Sequence, residues 1–294
     1  MQQLSKKNGS NNNIYRKTPT FAVMLIRNLI LVFLAALVFT GCKRENFEKI
    51  RLNPGVDFRY DKAFEYFGKS EYQKAQYLFE DLMGIIKLSE KAEKVYYHYA
   101  MTHFKQKSFV SSSYYFKQFY NTFPNSALAE EALFLSAESF EKLSPNFRLT
   151  QDDTDKAVEG YQLFVNTYPG SQRVSISNEK IDKLRKKLEE KDLDNAKGYF
   201  RRRDYMAASH CFKNMLVDFP DSKNAEIIRF MILKSSYFYA KESVLDKQIE
   251  RYKTVLTEFE QFNRKHPKST DLKEAESYFD ISNQRIKFLR NERN

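Results

Sequence analysis

Apolar positions along this chain recur at helical offsets, in register with its prolines. Four of the seven prolines share one context: Phe-Pro-Asn-Ser at 123–126, Tyr-Pro-Gly-Ser at 168–171, Phe-Pro-Asp-Ser at 219–222 and His-Pro-Lys-Ser at 266–269. Counting back eight, five, four and one residues from each proline gives Phe116, Phe119, Tyr120, Phe123; Tyr161, Phe164, Val165, Tyr168; Phe212, Met215, Leu216, Phe219; and Phe259, Phe262, Asn263, His266. Offsets of three and four share one helical face. Each unit therefore ends as an amphipathic helix stopped by proline, and the serine two residues on is the expected N-cap of the next helix. Phe79, Leu82, Met83 and Ile86 form a further copy, with Lys87 in the proline's place. Twelve residues before each terminator lie Ala75, Ser112, Ala157, Ala208 and Val255, mostly small, as close helix packing requires.

The pattern predicts five helix pairs: 57–68 with 72–86, 90–106 with 109–122, 126–142 with 154–168, 172–201 with 204–218, and 222–240 with 245–265. A charge-rich final helix, 270–291, would cap the end. Spacings of 45, 51 and 47 residues between successive junction prolines mean long hairpins stacked into a solenoid. The stretch FGKSEYQKAQYLFEDL resembles the tetratricopeptide repeat, with Gly68, Ala75 and Phe79 at its small and aromatic positions. The fold class is thus all-α, a tetratricopeptide-like helical-hairpin solenoid of about five repeats plus a C-terminal capping helix.

Composition agrees: with 8 Gly, 7 Pro and no Trp, 26 Phe and 19 Tyr carry the bulk of the apolar volume, which favours long helices over turn-rich β-structure. The net charge of +11 is inflated by the amino terminus, where residues 1–41 hold Lys6, Lys7, Arg16, Lys17 and Arg27 and no acid. Beyond it, charges of both signs intersperse, and no basic strip is available to track phosphates, so nucleic acid is not an expected partner.

From Leu29 to Thr40 the chain is uninterruptedly apolar, too short for a spanning helix and preceded by Arg27. A basic flank, a short apolar core and small residues at its exit describe a secretory signal. It ends in Phe39-Thr40-Gly41-Cys42, which resembles the lipobox of bacterial lipoproteins. That resemblance implies cleavage between Gly41 and Cys42 and acylation of Cys42, with acyl chains anchoring the protein to a membrane. MLIRNLILVFLAALVFTGC is a complete signal by itself, so translation is expected to start at Met24. Residues 1–41 are then the signal peptide, 42–56 a lipidated tether, 57–169 the N-terminal repeats and 170–294 the C-terminal repeats and cap. With Cys42 acylated, Cys211 has no disulfide partner in the chain.

The lipobox, the repeats, the Ser-Pro-Asn…Gln…Thr…Ala insertion in LSPNFRLTQDDTDKA and the Tyr-x-Ala-Ala turn in FRRRDYMAASHCF together resemble the BamD family of outer-membrane protein assembly lipoproteins. The resemblance implies a non-enzymatic component of the β-barrel assembly (BAM) complex, held at the periplasmic face of the outer membrane. Its implied partners are an Omp85/BamA-type barrel insertase, met by the C-terminal repeats, and unfolded outer-membrane proteins, met by the N-terminal ones. A groove containing Tyr60, Phe64, Tyr97 and His98 is the expected peptide surface. The alternative is a glycan-binding lipoprotein of the SusD type or a scaffold for other envelope machinery; the absence of Trp disfavours sugar stacking. No catalytic, cofactor or metal constellation is expected: His98 and His103 are five apart, His210 and His266 sit on separate repeats, and the Asp152-Asp153-Thr154-Asp155 run reads as helix capping.

Overall fold

In a computed structural model, residues 46–86 and 90–292 are described. The expected signal peptide, the expected start at Met24, Gly41, Cys42 and Lys87 lie outside the described residues. Two compact units are present, one ending at Arg59 and the other running from Tyr60.

The first unit holds α1 (Phe47–Arg51), within the segment expected to be a tether. Asn46 Oδ1 accepts from the Glu48 N–H at 3.2 Å and starts this single turn, and Ile50 is buried. Five residues are too few for a periodicity to register, which is why the hydrophobic pattern does not predict it. Asn53 Oδ1 accepts from the Gly55 N–H at 2.8 Å, closing the turn ahead of α2 (Val56–Gly68), which crosses the boundary between the units.

The second unit continues with α3 (Tyr72–Met83), α4 (Glu90–Lys105), α5 (Phe109–Thr122), α6 (Ala129–Leu143), α7 (Asp152–Thr167), α8 (Val174–Arg201), α9 (Tyr205–Asp218), α10 (Ala225–Lys241), α11 (Leu245–Lys265) and α12 (Leu272–Asn291). From α3 onward each helix packs on the next in the chain, and α12 also reaches back to α10. This is hairpin stacking: among the described residues, five pairs and a cap, each pair touching its neighbours.

Burial follows the register set by the prolines. The residues eight and five positions before each junction proline are buried in every repeat, as are Phe79 and Leu82 in the first, and the five residues at the small position are wholly buried. Each Phe or Tyr of this kind contributes roughly 1.5–3 kcal/mol by leaving water. Gly160 marks the tightest approach: a Cβ there would sit 2.9 Å from Ala137 Cβ on α6.

Two kinds of corner repeat. Within pairs, Ser70, Lys107 and Arg203 adopt positive φ of 60°, 61° and 65°. At each, the N–H of the following residue donates to a carbonyl five residues back, Tyr66, His103 and Tyr199, which is the Schellman ending built without glycine. Between pairs, Phe123, Tyr168, Phe219 and His266 have φ of −126°, −123°, −128° and −135°, out of the helical region that a following proline disfavours. The junction serines do not cap the helices. Ser126, Ser171, Ser222 and Ser269 accept at Oγ from the N–H two residues on, at 3.2, 3.0, 2.9 and 3.2 Å, closing a turn that precedes helices beginning at Ala129, Val174, Ala225 and Leu272. The N-cap position therefore falls at Leu128, Arg173, Asn224 and Asp271, two residues beyond each serine.

Candidate functional site

At the N-terminal end of the second unit, Tyr60 and Phe64 lie one turn apart on α2 with ring centroids 4.7 Å apart. The His98 ring packs 4.7 Å from Phe64, 5.0 Å from Phe67 and 6.0 Å from Phe79, so α2, α3 and α4 meet around it. His98 Nδ1 lies 2.8 Å from the Lys94 carbonyl, an arrangement in which this nitrogen donates. Burial pushes the His98 pKa down, holding the ring neutral. Tyr60, Phe64 and Phe67 are half-buried, and Lys91 Nζ sits 5.5 Å over the Tyr60 ring.

Tyr97 behaves differently. It is 6% exposed and packs on Phe116 and Phe119 of α5, both at 5.7 Å. Its hydroxyl bonds to Glu131 on α6, which pairs with Arg173 at 3.1 Å. Of the four residues expected to share a groove, Tyr60, Phe64 and His98 gather on one surface, while Tyr97 keeps edge contact with the His98 ring at 5.4 Å but is buried against α5 and carries its hydroxyl to the next pair. Adjacent helical residues point about 100° apart, and α4 is sandwiched, so neighbours face different pairs.

The insertion between α6 and α7 is an organised loop. Gln151, 5% exposed, donates through Nε2 to the Asn146 and Leu149 carbonyls, both at 2.9 Å, and Thr154 donates to Gln151 Oε1 at 2.7 Å. From α8, Lys187 Nζ donates to the Pro145 carbonyl at 3.0 Å and Lys191 Nζ to the Leu149 carbonyl at 2.7 Å. The Gln and Thr of the motif thus serve the loop itself, and Leu149 is left 60% exposed at its tip. In the Tyr-x-Ala-Ala turn, Asp204 Oδ1 accepts from the Ala207 N–H at 3.2 Å, Tyr205 stacks on Phe238 at 5.2 Å, and Ala208 is the wholly buried small position.

Three clefts surround the middle of α8, of about 550, 410 and 630 Å³. Asp192 and Asp218 are shared by two of them. Burial, then the neighbouring Asp218, pushes the Asp192 pKa up. Cys211 opens onto the first cleft, half-buried, with its thiol pushed up by burial and then by Asp192 and Asp204, which disfavours the reactive thiolate. His103 stacks on Tyr115 at 5.1 Å, away from His98, and its Nε2 is buried without a hydrogen-bond partner. Among the described residues no group of three or more His, Cys, Asp or Glu could hold a metal ion, and no helix is long and apolar enough to cross a membrane.

A family profile described as YfiO, outer membrane lipoprotein, matches residues 57–237, from the first pair into α10. A protein of Aquifex aeolicus named putative outer membrane protein assembly factor BamD is 27% identical over 269 residues, covering 90% of this chain and 84% of that one. A tetratricopeptide repeat protein of known structure from Parabacteroides merdae aligns with 80% of this chain and 98% of its own at 11% identity, with a TM-score of 0.34. With most of the repeat region inside the profile, including the α6–α7 insertion and the Tyr-x-Ala-Ala turn, the chain belongs to the YfiO family of outer-membrane lipoproteins.

Proposed function

We propose that this chain is a non-catalytic scaffold of the machinery that assembles β-barrel proteins in the outer membrane, anchored at its periplasmic face by acyl chains on Cys42. The observation that carries the reading is the continuous relationship to an assembly-factor sequence over 90% of the chain, within which the family profile covers residues 57–237. In this reading the C-terminal repeats, 170–294, hold an Omp85/BamA-type insertase, and the N-terminal repeats, 57–169, meet unfolded outer-membrane proteins. The half-buried Tyr60, Phe64 and His98 surface suits the second of these roles, because clustered rings with a cation nearby can take aromatic side chains of an extended segment without themselves reorganising.

The test is affinity purification of the tagged chain from detergent-solubilised membranes, with co-purifying proteins identified by mass spectrometry. Near-stoichiometric recovery of an Omp85-type barrel supports the reading; a TonB-dependent transporter or cell-wall enzymes in its place would sink it. In parallel, Cys42→Ala should move the protein from the membrane fraction to the soluble periplasm, and retention in the membrane would refute the lipid anchor.

A further inference from the structure

Ten residues beyond Cys42, the first unit presents an apolar side chain in a form that suits a lipid surface. Leu52, the residue that ends α1, is 78% exposed, and no large apolar side chain among the described residues is more exposed. Single exposed leucines are ordinary on protein surfaces, so exposure alone does not make a site. Backbone, charge and reach set this one apart.

The backbone around Leu52 is satisfied from within. The Leu52 N–H donates to the Glu48 carbonyl at 3.0 Å and the Asn53 N–H to the Ile50 carbonyl at 3.2 Å. Pro54 has no N–H, and the Gly55 N–H donates to Asn53 Oδ1 at 2.8 Å. The turn that carries Leu52 therefore brings no unmet donor with it, and unmet donors are what make irregular backbone costly at the edge of hydrocarbon. Ile50 on the same helix is buried, so the packing of the unit uses Ile50 and leaves Leu52 outside.

From Lys43 to Arg51 the chain has four cations, Lys43, Arg44, Lys49 and Arg51, against two acids, Glu45 and Glu48. Lys49 and Arg51 are exposed on α1, next in the chain to the turn that bears Leu52. An apolar side chain flanked by an excess of cations matches the border between acyl chains and anionic headgroups. The chain between Cys42 and Asn46 extends at most about 14 Å, and α1 adds about 7.5 Å, so an anchor on Cys42 holds Leu52 within roughly 25 Å of lipid. At such a separation the contact is intramolecular, and one too weak to hold a free protein on a bilayer is still occupied.

We infer that Leu52 inserts at the acyl border of the membrane that holds the anchor, with Lys49 and Arg51 among its headgroups, making α1 a second, non-covalent foot. The inference rests on the acylation of Cys42 proposed above. The foot fixes the height of α1 over the lipid, which an acyl anchor alone does not.

Fluorescence quenching tests it. The mature acylated chain carries Cys211→Ser, to remove the competing thiol, and Glu48→Cys, to take a nitrobenzoxadiazole label at an exposed position on α1. It is reconstituted into vesicles of phosphatidylethanolamine and phosphatidylglycerol containing a doxyl-labelled phospholipid, and recovered by flotation. The label should emit to the blue of the same label on a chain made from Lys43 onward without its signal, and should lose most of its intensity to the doxyl lipid. Leu52→Asp removes little packing at so exposed a position and should reduce that quenching by about tenfold, the scale for withholding one leucine from hydrocarbon. Quenching undiminished in Leu52→Asp means that the anchor alone holds the turn near lipid, and overturns the inference. A label that stays aqueous on a chain that floats overturns it too, leaving the anchor intact. A chain that fails to float overturns it together with the lipid anchor.

Discussion

Gly160 shows how far single positions are committed in this stack. A methyl group there meets Ala137 Cβ at 2.9 Å and its Cα at 3.2 Å, both on a neighbouring helix with no flexible side chain to yield. Gly160→Ala should therefore lower stability by about 1–3 kcal/mol despite its better helix propensity, read as a reduced midpoint in urea unfolding. His103 is committed in another way. Its ring is stacked on Tyr115 and edge-on to Tyr99, Nε2 is unpaired, and burial lowers its pKa below the ordinary histidine value. The unfolded chain then binds the proton first as pH falls, so stability is full above the unfolded pKa of about 6.5 and declines below it. His103→Phe removes both the orphan nitrogen and the titration. It should melt at the same or a higher temperature at pH 7.5 and lose less than the parent on going to pH 5; an equal loss would refute the assignment.

At the scale of elements, corners and loops carry the specific chemistry while helices carry the volume. The α6–α7 insertion holds its shape through Gln151, whose amide donates to two loop carbonyls. Gln151→Ala removes both bonds, at a cost of about 1–3 kcal/mol for each carbonyl that stays buried. The expected result is a large loss of hydrogen-exchange protection confined to residues 145–155, with α10 to α12 unaffected. Leu149 is presented by this clamp at the end of a loop whose carbonyls are also held from α8, so the same variant should release it. Lys187 and Lys191 on α8 direct their charge to backbone oxygens of this loop.

At the scale of the whole molecule, nearest-neighbour packing makes stability local. Tyr278 on α12 stacks 4.4 Å from Tyr237 on α10, and Phe279 lies 4.6 Å from Phe259 on α11, so the last helix closes the pair before it and leaves the early pairs to their own neighbours. Deleting residues 272–294 should expose α10 and α11 to limited proteolysis first, leaving a resistant fragment that retains α4 to α7. Uniform digestion throughout the chain would show instead that the stack unfolds as one unit.

Periodicity and proline placement determined the helices, their pairing and the buried face, because these rest on interactions three to five residues apart that any helix must obey. Phe116, Tyr161, Phe212 and Phe259 are buried as their common register requires, and the pair boundaries fall within a few residues of the prolines. The insertion and turn motifs, too, were visible as strings of residues. What they do was decided by partners distant in the chain: Lys187 and Lys191 reach back some forty residues to the loop they hold, and Tyr97 finds Glu131 on α6. The orientation that buries Tyr97 against α5 while His98 packs on α2, and the groove that brings Lys213 and Arg251 together across α9 and α11, depend on the rotation of each helix against its neighbours. A hydrophobic pattern specifies which face is buried and leaves the polar face without an address; only packing assigns it one.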